Sequence, residues 1–165
     1  MSHTHAPAAE LLSRIAAHWP EQAGRVRPEV IFLYRARDLL LDDIEQILKP
    51  LGMRTSDVDV LAALRTQPEP RQLTPTALYQ NLLLSSGGLT KILHRLEAAN
   101  WIDRPDNPAD GRSRLVHLTR AGAAQLEQAV EAVIQHEARC MAPLSKAEQR
   151  ELGRLLGKLV SAWES

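Results

Sequence analysis

The sequence of 165 residues has a single cysteine, no long apolar run and no net charge. One cysteine excludes an internal disulfide framework. No stretch approaches the roughly 20 apolar residues that a membrane-spanning helix needs. The first residues also lack the basic-then-apolar order of a secretory signal peptide. We therefore expect a cytoplasmic protein without membrane contact, in which 44% hydrophobic residues suffice for one buried core or two interlocked lobes.

Signs of catalysis are also missing from the sequence. It has no Ser-His-Asp order, no phosphate-binding loop and no clustered pair of carboxylates, so we expect neither an enzyme nor a bound cofactor. His136 and Cys140 stand one helical turn apart, which is a spacing of two metal ligands. A third and a fourth ligand are not evident, so no metal site is predicted. We expect Cys140 to be a buried structural thiol rather than a sensor of oxidants.

Residues 74–122 carry the strongest functional signal. Thr74 can accept a hydrogen bond at the start of a helix, and Pro75 fits the first helical position because its missing N–H would have no partner there. Leu78 and Leu82 then recur at helical spacing and can face a core. Leu83 and Leu84 then lead to Ser85 and to further apolar residues at helical spacing, as in a helix-turn-helix.

The second helix of this pair is predicted to begin after Ser85, whose hydroxyl can cap it. Its apolar side chains recur on one face, at Leu89, Ile92, Leu93 and Leu96. The other face has short or cationic side chains, which allow close approach to bases and phosphates. These are Ser86, Gly87, Thr90, Lys91 and Arg95. Glycine costs roughly 1 kcal/mol inside a helix, so Gly87 and Gly88 either clear space against DNA or lie in a frayed first turn.

A hairpin is predicted to follow the second helix. Asn100 can adopt the left-handed conformation that often ends a helix. Residues 101–104 and 115–118 predict two short strands, and residues 105–113 between them are polar and rich in turn formers. The far side of this loop carries two arginines, Arg112 and Arg114. Arginine on such a tip suits a narrow minor groove, where the negative potential is strongest.

The distribution of charge is compatible with DNA binding, although the net charge is not in itself favourable. Phosphate contacts require cations, so a net charge of zero argues mildly against a nucleic-acid partner. Residues 74–122, however, contain six Lys or Arg and four Asp or Glu, a local excess of two positive charges. Because this excess is small, much of the affinity would come from two protomers binding one site.

The flanking segments predict helices suited to a dimer interface. Pro28 can open a helix with a broad apolar face, and Pro50 and Gly52 can end that helix. After the hairpin, Thr119 can cap a long helix, and Ser145 with Glu148 forms the S-x-x-E pattern of a capping box before the last helix. Long apolar helices beside a small DNA-binding module are best covered by a second copy of the chain. Packing onto the same protomer is the alternative.

We therefore predict a mainly α fold with a small β-wing, a winged helix-turn-helix with N- and C-terminal helices forming a dimerisation lobe. A two-fold dimer would place its reading helices about one DNA turn apart, which predicts a pseudo-palindromic operator. The predicted parts are an N-terminal extension with an extra helix at 1–27, a dimerisation helix at 28–53, a winged helix-turn-helix DNA-binding domain at 54–118 and C-terminal dimerisation helices at 119–165.

The order of elements over roughly residues 28–165 resembles the MarR family of bacterial transcription regulators. The resemblance is sharpest at Leu73-Thr74-Pro75, Ser85-Ser86-Gly87, Thr90-Lys91, Arg95-Leu96-Glu97, and Asp110-Gly111-Arg112 through Leu118-Thr119 and Gly122. Asn100 stands where relatives usually have glycine. The resemblance implies a homodimeric repressor that binds a double-stranded DNA operator and is released by a small molecule between the dimer helices and the DNA-binding lobe.

An additional leading helix, predicted at 9–19, resembles the urate-responsive branch of the family. In that branch a tryptophan, an aspartate and two arginines surround a flat anionic ring, and Trp19, Asp59 and Arg104 stand at compatible places. Ile92 occupies the place of the second arginine. The implied effector is therefore a planar aromatic carboxylate, such as a hydroxylated nicotinate or benzoate, or a urate-like molecule. Alternatively, Trp19 is an ordinary core residue and Asp59 lies on a helix surface. Arg104 is then a phosphate contact or an ion-pair partner of Asp59.

A different class of function is a protein-interaction adaptor that keeps the winged fold without binding DNA. Such an adaptor would tolerate loss of the cations of the reading helix and of the hairpin. This sequence retains them at Lys91, Arg95, Arg112 and Arg114. DNA binding is therefore the expected function, and the adaptor is the alternative.

Overall fold

Helices dominate the fold of this chain in a computed structural model. The structure describes residues 6–82, 86–111 and 113–164, and for residues 86 and 87 it describes only the backbone. The chain divides into two compact units, one ending at Gln46 and the other beginning at Ile47. The boundary falls inside a helix. Each unit is described by itself.

The first unit contains α1 (Ala8–His18), α2 (Pro20–Ala23) and most of α3 (Pro28–Leu48). The predicted leading helix is thus confirmed, but Trp19 lies just after it. The Trp19 N–H donates to the carbonyl of Ile15 at 2.8 Å and closes the last turn. Among the described residues of this unit, no side chain is fully buried. Its apolar faces are therefore not covered within the unit.

The second unit begins with the end of α3 and a short 3-10 turn. It continues through α4 (Thr55–Arg65), β1 (Gln72–Leu73), α5 (Pro75–Leu82), α6 (Ser86–Ala98), β2 (Ile102–Asp103), β3 (Val116–Leu118), α7 (Arg120–Cys140) and α8 (Lys146–Trp163). The 3-10 turn ends at Gly52, whose φ of 68° is a left-handed conformation that glycine adopts without steric cost. The predicted stop near Pro50 is therefore confirmed.

The buried core lies in the second unit, around α4. This helix packs against α5, α6, α7 and β3. The predicted apolar stripe of α6 is confirmed, because all four of its members are buried. The fully buried apolar side chains include Val60, Leu61, Leu64, Leu78, Leu96, Ile102 and Val116. Burial of this kind contributes roughly 1.5–3 kcal/mol per large aliphatic side chain, so the core holds the apolar face of α6.

The sheet is antiparallel with strand order β1-β3-β2. Gln72 and Asp103 both pair with His117, from opposite sides of the central strand. Val116 and Leu118 are buried and His117 is half-buried, as expected for alternating faces. The two predicted strands are confirmed in a shorter form, whereas β1 was not predicted. Two residues are too few to produce an alternating pattern.

The last two helices expose much of their apolar surface. Thr119 caps α7 by accepting a hydrogen bond from the Gly122 N–H at 2.9 Å. Ser145 and Glu148 form the predicted capping box of α8. Leu126 and Ala129 are buried on α7, but no side chain of α8 is buried. Within the described ranges, every helix is too short or too polar to cross a bilayer.

Cys140 differs from its expected environment. The prediction of a buried thiol is wrong, because Cys140 is only partly buried. Its sulfur lies 3.1 Å from Nε2 of His136, one turn earlier on α7. The end of this helix has little core around it, since the buried side chains of α7 are confined to its first half.

Candidate nucleic-acid interface

The first helix of the helix-turn-helix begins as its sequence indicates. Thr74 Oγ1 accepts a hydrogen bond from the Ala77 N–H at 3.1 Å, and Leu78 is fully buried. The cap and the buried leucine fix the start of α5 against the core. Thr74 therefore has a structural role, and the prediction that it also contacts DNA is not tested by this hydrogen bond.

The second helix, α6, separates an apolar face from a polar one. Leu89, Ile92, Leu93 and Leu96 are buried. Thr90, Lys91 and His94 are exposed on the other side. They are one helical turn or less apart, which makes a continuous polar surface. This is the geometry that a helix needs in order to pack on a core and enter a major groove at once.

Three predicted DNA contacts at the start of this helix are only partly described. Ser85 lies outside the described residues. Ser86 begins α6 and Gly87 follows it, so the predicted helix start is confirmed. Their side chains are not among those described. Their contacts with DNA remain predictions.

His94 belongs to the exposed face but was not selected from the sequence. It is four residues after Thr90 and three after Lys91, which places all three on one face of α6. The same spacing was available in the sequence. The charge of the adjacent Arg95 favoured that residue as a DNA contact, but its side chain points toward Asp57 of α4.

Arg95 binds Asp57 of α4. Its Nη2 donates to Asp57 Oδ1 at 2.5 Å, and its Nε donates to the same oxygen at 3.1 Å. The aspartate is fully buried, while 31% of the arginine side chain is exposed. This ion pair joins α6 to α4 across 38 residues of sequence. Direct contact between Arg95 and DNA stays a prediction.

The hairpin after α6 forms the wing. Beyond β2 and β3, a further bridge pairs Asp106 with Arg114. Asn107 closes the tip by donating to the Ser113 hydroxyl at 2.9 Å. Arg114 is exposed, with its Nε 3.8 Å from Asp106. Arg112, the predicted tip arginine, lies outside the described residues, so its position relative to the groove remains a prediction.

The base of the wing is held tightly to the neighbouring helices. Asn100 has a φ of 58°, which confirms the predicted left-handed helix end. The Thr119 hydroxyl donates to the carbonyls of Asn100 and Trp101, at 2.8 and 3.0 Å. The wing therefore leaves α6 and enters α7 at one fixed junction.

A shallow trough of about 520 Å³ lies at the wing and the strand beside it. Its residues come from the loop before β1, from β1 and from both wing strands, and they are Pro70, Gln72, Asp103, Arg104, Pro105, Arg114 and His117. His117 Nδ1 lies 2.9 Å from Asp103 Oδ1, and Arg104 Nε donates to the Leu115 carbonyl at 3.0 Å. The trough thus combines two arginines with a paired histidine and aspartate.

The three predicted effector residues are distributed over both units. Trp19 belongs to the first unit, where 58% of it is exposed. Asp59 is exposed on α4, and Arg104 is half-buried in the wing trough. The residues that line the trough do not include Asp59. A common effector site for the three stays a prediction.

Comparison with known proteins identifies the family. A family model described as MarR family matches residues 51–113, from the end of the 3-10 turn before α4 through the wing loop. A transcriptional repressor of the HTH type from Mycobacterium bovis is 31% identical over 129 residues, which are 78% of this chain and 91% of the relative. The crystal structure of wild-type apo MarR from E. coli is 30% identical, with a TM-score of 0.72, over 81% of this chain and 97% of that one. The chain belongs to the MarR family.

A further MarR-family comparison connects the winged fold with DNA. A mutant MarR from E. coli, crystallised with operator DNA, is 32% identical over 79% of this chain and 95% of that one, with a TM-score of 0.64. The HTH-type transcriptional regulator PecS from Dickeya dadantii is 29% identical over 81% of this chain and 82% of the relative. PecS and the Mycobacterium bovis relative are named as regulators of transcription, which agrees with the expectation that the chain is not an enzyme.

Proposed function

We propose that this chain is a homodimeric transcriptional repressor that binds a pseudo-palindromic operator in double-stranded DNA. The observation that carries the proposal is the two-faced helix α6, with four buried apolar residues on one side and Thr90, Lys91 and His94 exposed on the other. The likeness to a MarR bound to operator DNA supports the assignment of this face to DNA. Such a repressor would act in the bacterial cytoplasm, where its DNA lies.

DNA binding is tested with an operator duplex that the wild-type protein selects from a random-sequence library. Lys91→Ala should weaken binding to selected and unselected duplexes alike and reduce the slope of log affinity against log salt by about 2, because each protomer of the dimer loses one phosphate contact. Lys158→Ala on α8 is the matched control and should change neither quantity. Failure of the wild-type protein to select any sequence would contradict the proposal and favour the adaptor.

Dimerisation is proposed because both ends of the chain expose apolar side chains. Leu155, Leu159 and Trp163 recur on one face of α8, and 72% of Trp163 is exposed. In the first unit, Phe32 and Tyr34 on α3 are also exposed. An apolar surface of this extent on a small protein usually marks an interaction site. A second copy with the same faces can cover it in a two-fold arrangement.

Sedimentation equilibrium tests the dimer. Leu155→Glu places a charge on the apolar face of α8 and should produce monomers at concentrations where the wild type is dimeric. Arg150→Glu introduces the same carboxylate five residues earlier, on the opposite side of the helix, and should leave the dimer intact. A wild-type protein that sediments as a monomer would contradict this part of the proposal.

The proposed effector is a planar aromatic acid. Arg104 supports this proposal because its guanidinium lies in a trough with a second arginine, and arginine can bind a carboxylate through two parallel hydrogen bonds. The resemblance to the urate-responsive branch adds Trp19 as a stacking surface and Asp59 as a polar partner. A ligand releases the repressor only if it binds the DNA-free arrangement more tightly than the bound one.

A thermal-shift screen with a hydroxynicotinate, a hydroxybenzoate and urate tests the effector. A ligand that binds the folded but not the unfolded state raises the melting temperature, and the rise grows with the logarithm of its concentration above the Kd. Release from operator DNA is then measured for Trp19→Ala, Asp59→Ala and Arg104→Ala, with Arg150→Ala on α8 as control. Unchanged release in all three variants would exclude these residues from the effector site.

A further inference from the structure

Asp57 is the only charged side chain among the described residues that is completely buried. A buried carboxylate is costly unless it is paired and hydrogen-bonded. Here both of its oxygens have partners. Oδ1 accepts from Nη2 and Nε of Arg95, and Oδ2 accepts from the Arg54 backbone N–H at 2.9 Å. The aspartate is thus fixed to the start of α4 and holds the arginine of α6.

The ion pair forms beside the exposed face of the reading helix, α6. Arg95 follows His94 directly and is one turn beyond Lys91, so it is adjacent to the exposed face in sequence. Its two donors to Asp57 nevertheless point it toward α4. Apolar packing alone allows some sliding and rotation of a helix, whereas hydrogen bonds of fixed geometry restrict both.

We propose that Arg95 is a positioning residue, which acts through Asp57 to set the orientation of α6 for DNA. The inference rests on the proposed DNA-binding function. In this role Arg95 contributes to operator affinity without neutralising a phosphate. Its effect depends on Asp57, a residue that is buried in the unbound protein and offers no surface to a duplex.

This role differs measurably from direct contact and from simple stabilisation. A direct phosphate contact contributes to the salt dependence of binding, since each one releases a counterion. A positioning residue leaves the salt dependence unchanged but lowers affinity in protein that is fully folded. A merely structural residue lowers the melting temperature and leaves the affinity of the folded fraction unchanged.

The test uses full-length Asp57→Asn, Arg95→Gln and the double variant Asp57→Asn/Arg95→Gln. Binding to the selected operator is measured by fluorescence anisotropy at several salt concentrations, at a temperature where circular dichroism shows each variant folded. Each single variant should bind at least tenfold more weakly with an unchanged salt slope. The double variant should resemble the weaker single one, because interacting residues are not additive.

Arg65→Gln is the matched control. Arg65 on α4 also pairs with another helix, since its Nη2 lies 3.5 Å from Glu127 of α7, but both partners are exposed. This variant should bind the operator within twofold of the wild type. If Asp57→Asn does not fold, Arg95→Lys replaces it, because lysine keeps the charge but lacks the planar fork. Arg95→Lys should then also lose affinity without a change in salt slope.

Two results would overturn the proposal. Loss of about two units of salt slope in Arg95→Gln, one for each protomer, with normal binding by Asp57→Asn or Arg95→Lys, would make Arg95 a direct phosphate contact. Normal affinity in every folded variant would leave the ion pair with a structural role only. In both cases the wild-type protein still binds DNA, so the proposed function would be unaffected. Wild-type protein without operator binding would instead refute that function.

Discussion

Gly122 lies directly against the backbone of Trp101, at the junction of α7 and the wing. A β-carbon at position 122 would overlap the carbonyl oxygen of Trp101 and lie 2.8 Å from its carbonyl carbon. The same carbonyl accepts hydrogen bonds from the backbone N–H and the hydroxyl of Thr119. Because the obstacle is backbone held by two hydrogen bonds, it cannot move aside easily.

We therefore expect Gly122→Ala to destabilise the protein by about 2 kcal/mol or more, a cost in the range of overpacked core sites. The measurement is urea unfolding at a fixed protein concentration. The matched control is Gly157→Ala on α8, where nothing lies within 4 Å of the added carbon. That substitution should stabilise the helix by roughly 0.5–1 kcal/mol. Equal effects of the two substitutions would refute the close approach.

Asn100 gives a second prediction about the wing junction. Its φ of 58° is in the region where glycine has no steric cost and asparagine has a small one. Asn100→Gly should retain full stability, whereas the β-branched Asn100→Val should lose roughly 1–3 kcal/mol. The side chain is exposed, so the difference reports backbone conformation rather than packing. Equal unfolding midpoints for the two variants would contradict a left-handed residue here.

The capping box of α8 predicts a pH-dependent contribution to stability. Hydrogen bonds from the side chain and from the backbone of Ser145 hold the pKa of Glu148 below its ordinary value. A carboxyl whose pKa is lower in the folded protein stabilises it at pH values above its unfolded pKa. This contribution is lost as the pH falls through the folded value. Glu148→Gln should therefore lower the melting temperature at pH 7.

The same variant supplies its own control at acidic pH. Once Glu148 is protonated in the wild-type protein, the two proteins should differ little in melting temperature. A difference between Glu148→Gln and wild type that is constant from neutral to acidic pH would exclude the carboxylate as its cause.

Local patterns predicted much of the DNA-binding lobe. The stripe of α6 is confirmed because four apolar residues at helical spacing leave one arrangement that buries them all. The caps at Thr119 and Ser145 are confirmed because the hydrogen bond they make spans only three residues. In each case the partners are close in sequence, so the pattern contains both of them.

Contacts between distant residues were less accessible to sequence reasoning. The sequence predicted a DNA contact for Arg95 because of its charge. Its partner Asp57 lies on another helix, 38 residues away, and nothing in either local pattern connects the two. Strand β1 was missed because it forms only where Gln72 and Leu73 meet β3. The effector residues raise the same difficulty, since a ligand site on several elements has no local signature.

His94 gives a prediction about how the protein reads its operator. It is exposed on α6, on the same face as Lys91, and its ring can donate to or accept from a base edge. Asp57 and Arg95 form the pair that we propose to hold this face in place. We therefore expect His94 to contribute to sequence preference, whereas Lys91 contributes to affinity for any duplex.

The comparison of selected and unselected duplexes separates the two roles. His94→Ala should reduce the ratio of their affinities by about 5–150-fold for each half-site of the operator, corresponding to about 1–3 kcal/mol for each base contact. Its salt slope should remain that of the wild type, unlike that of Lys91→Ala. His18→Ala on α1 is a control histidine, exposed outside the DNA-binding lobe. An equal loss of affinity for both duplexes would show that His94 contacts the backbone rather than the bases.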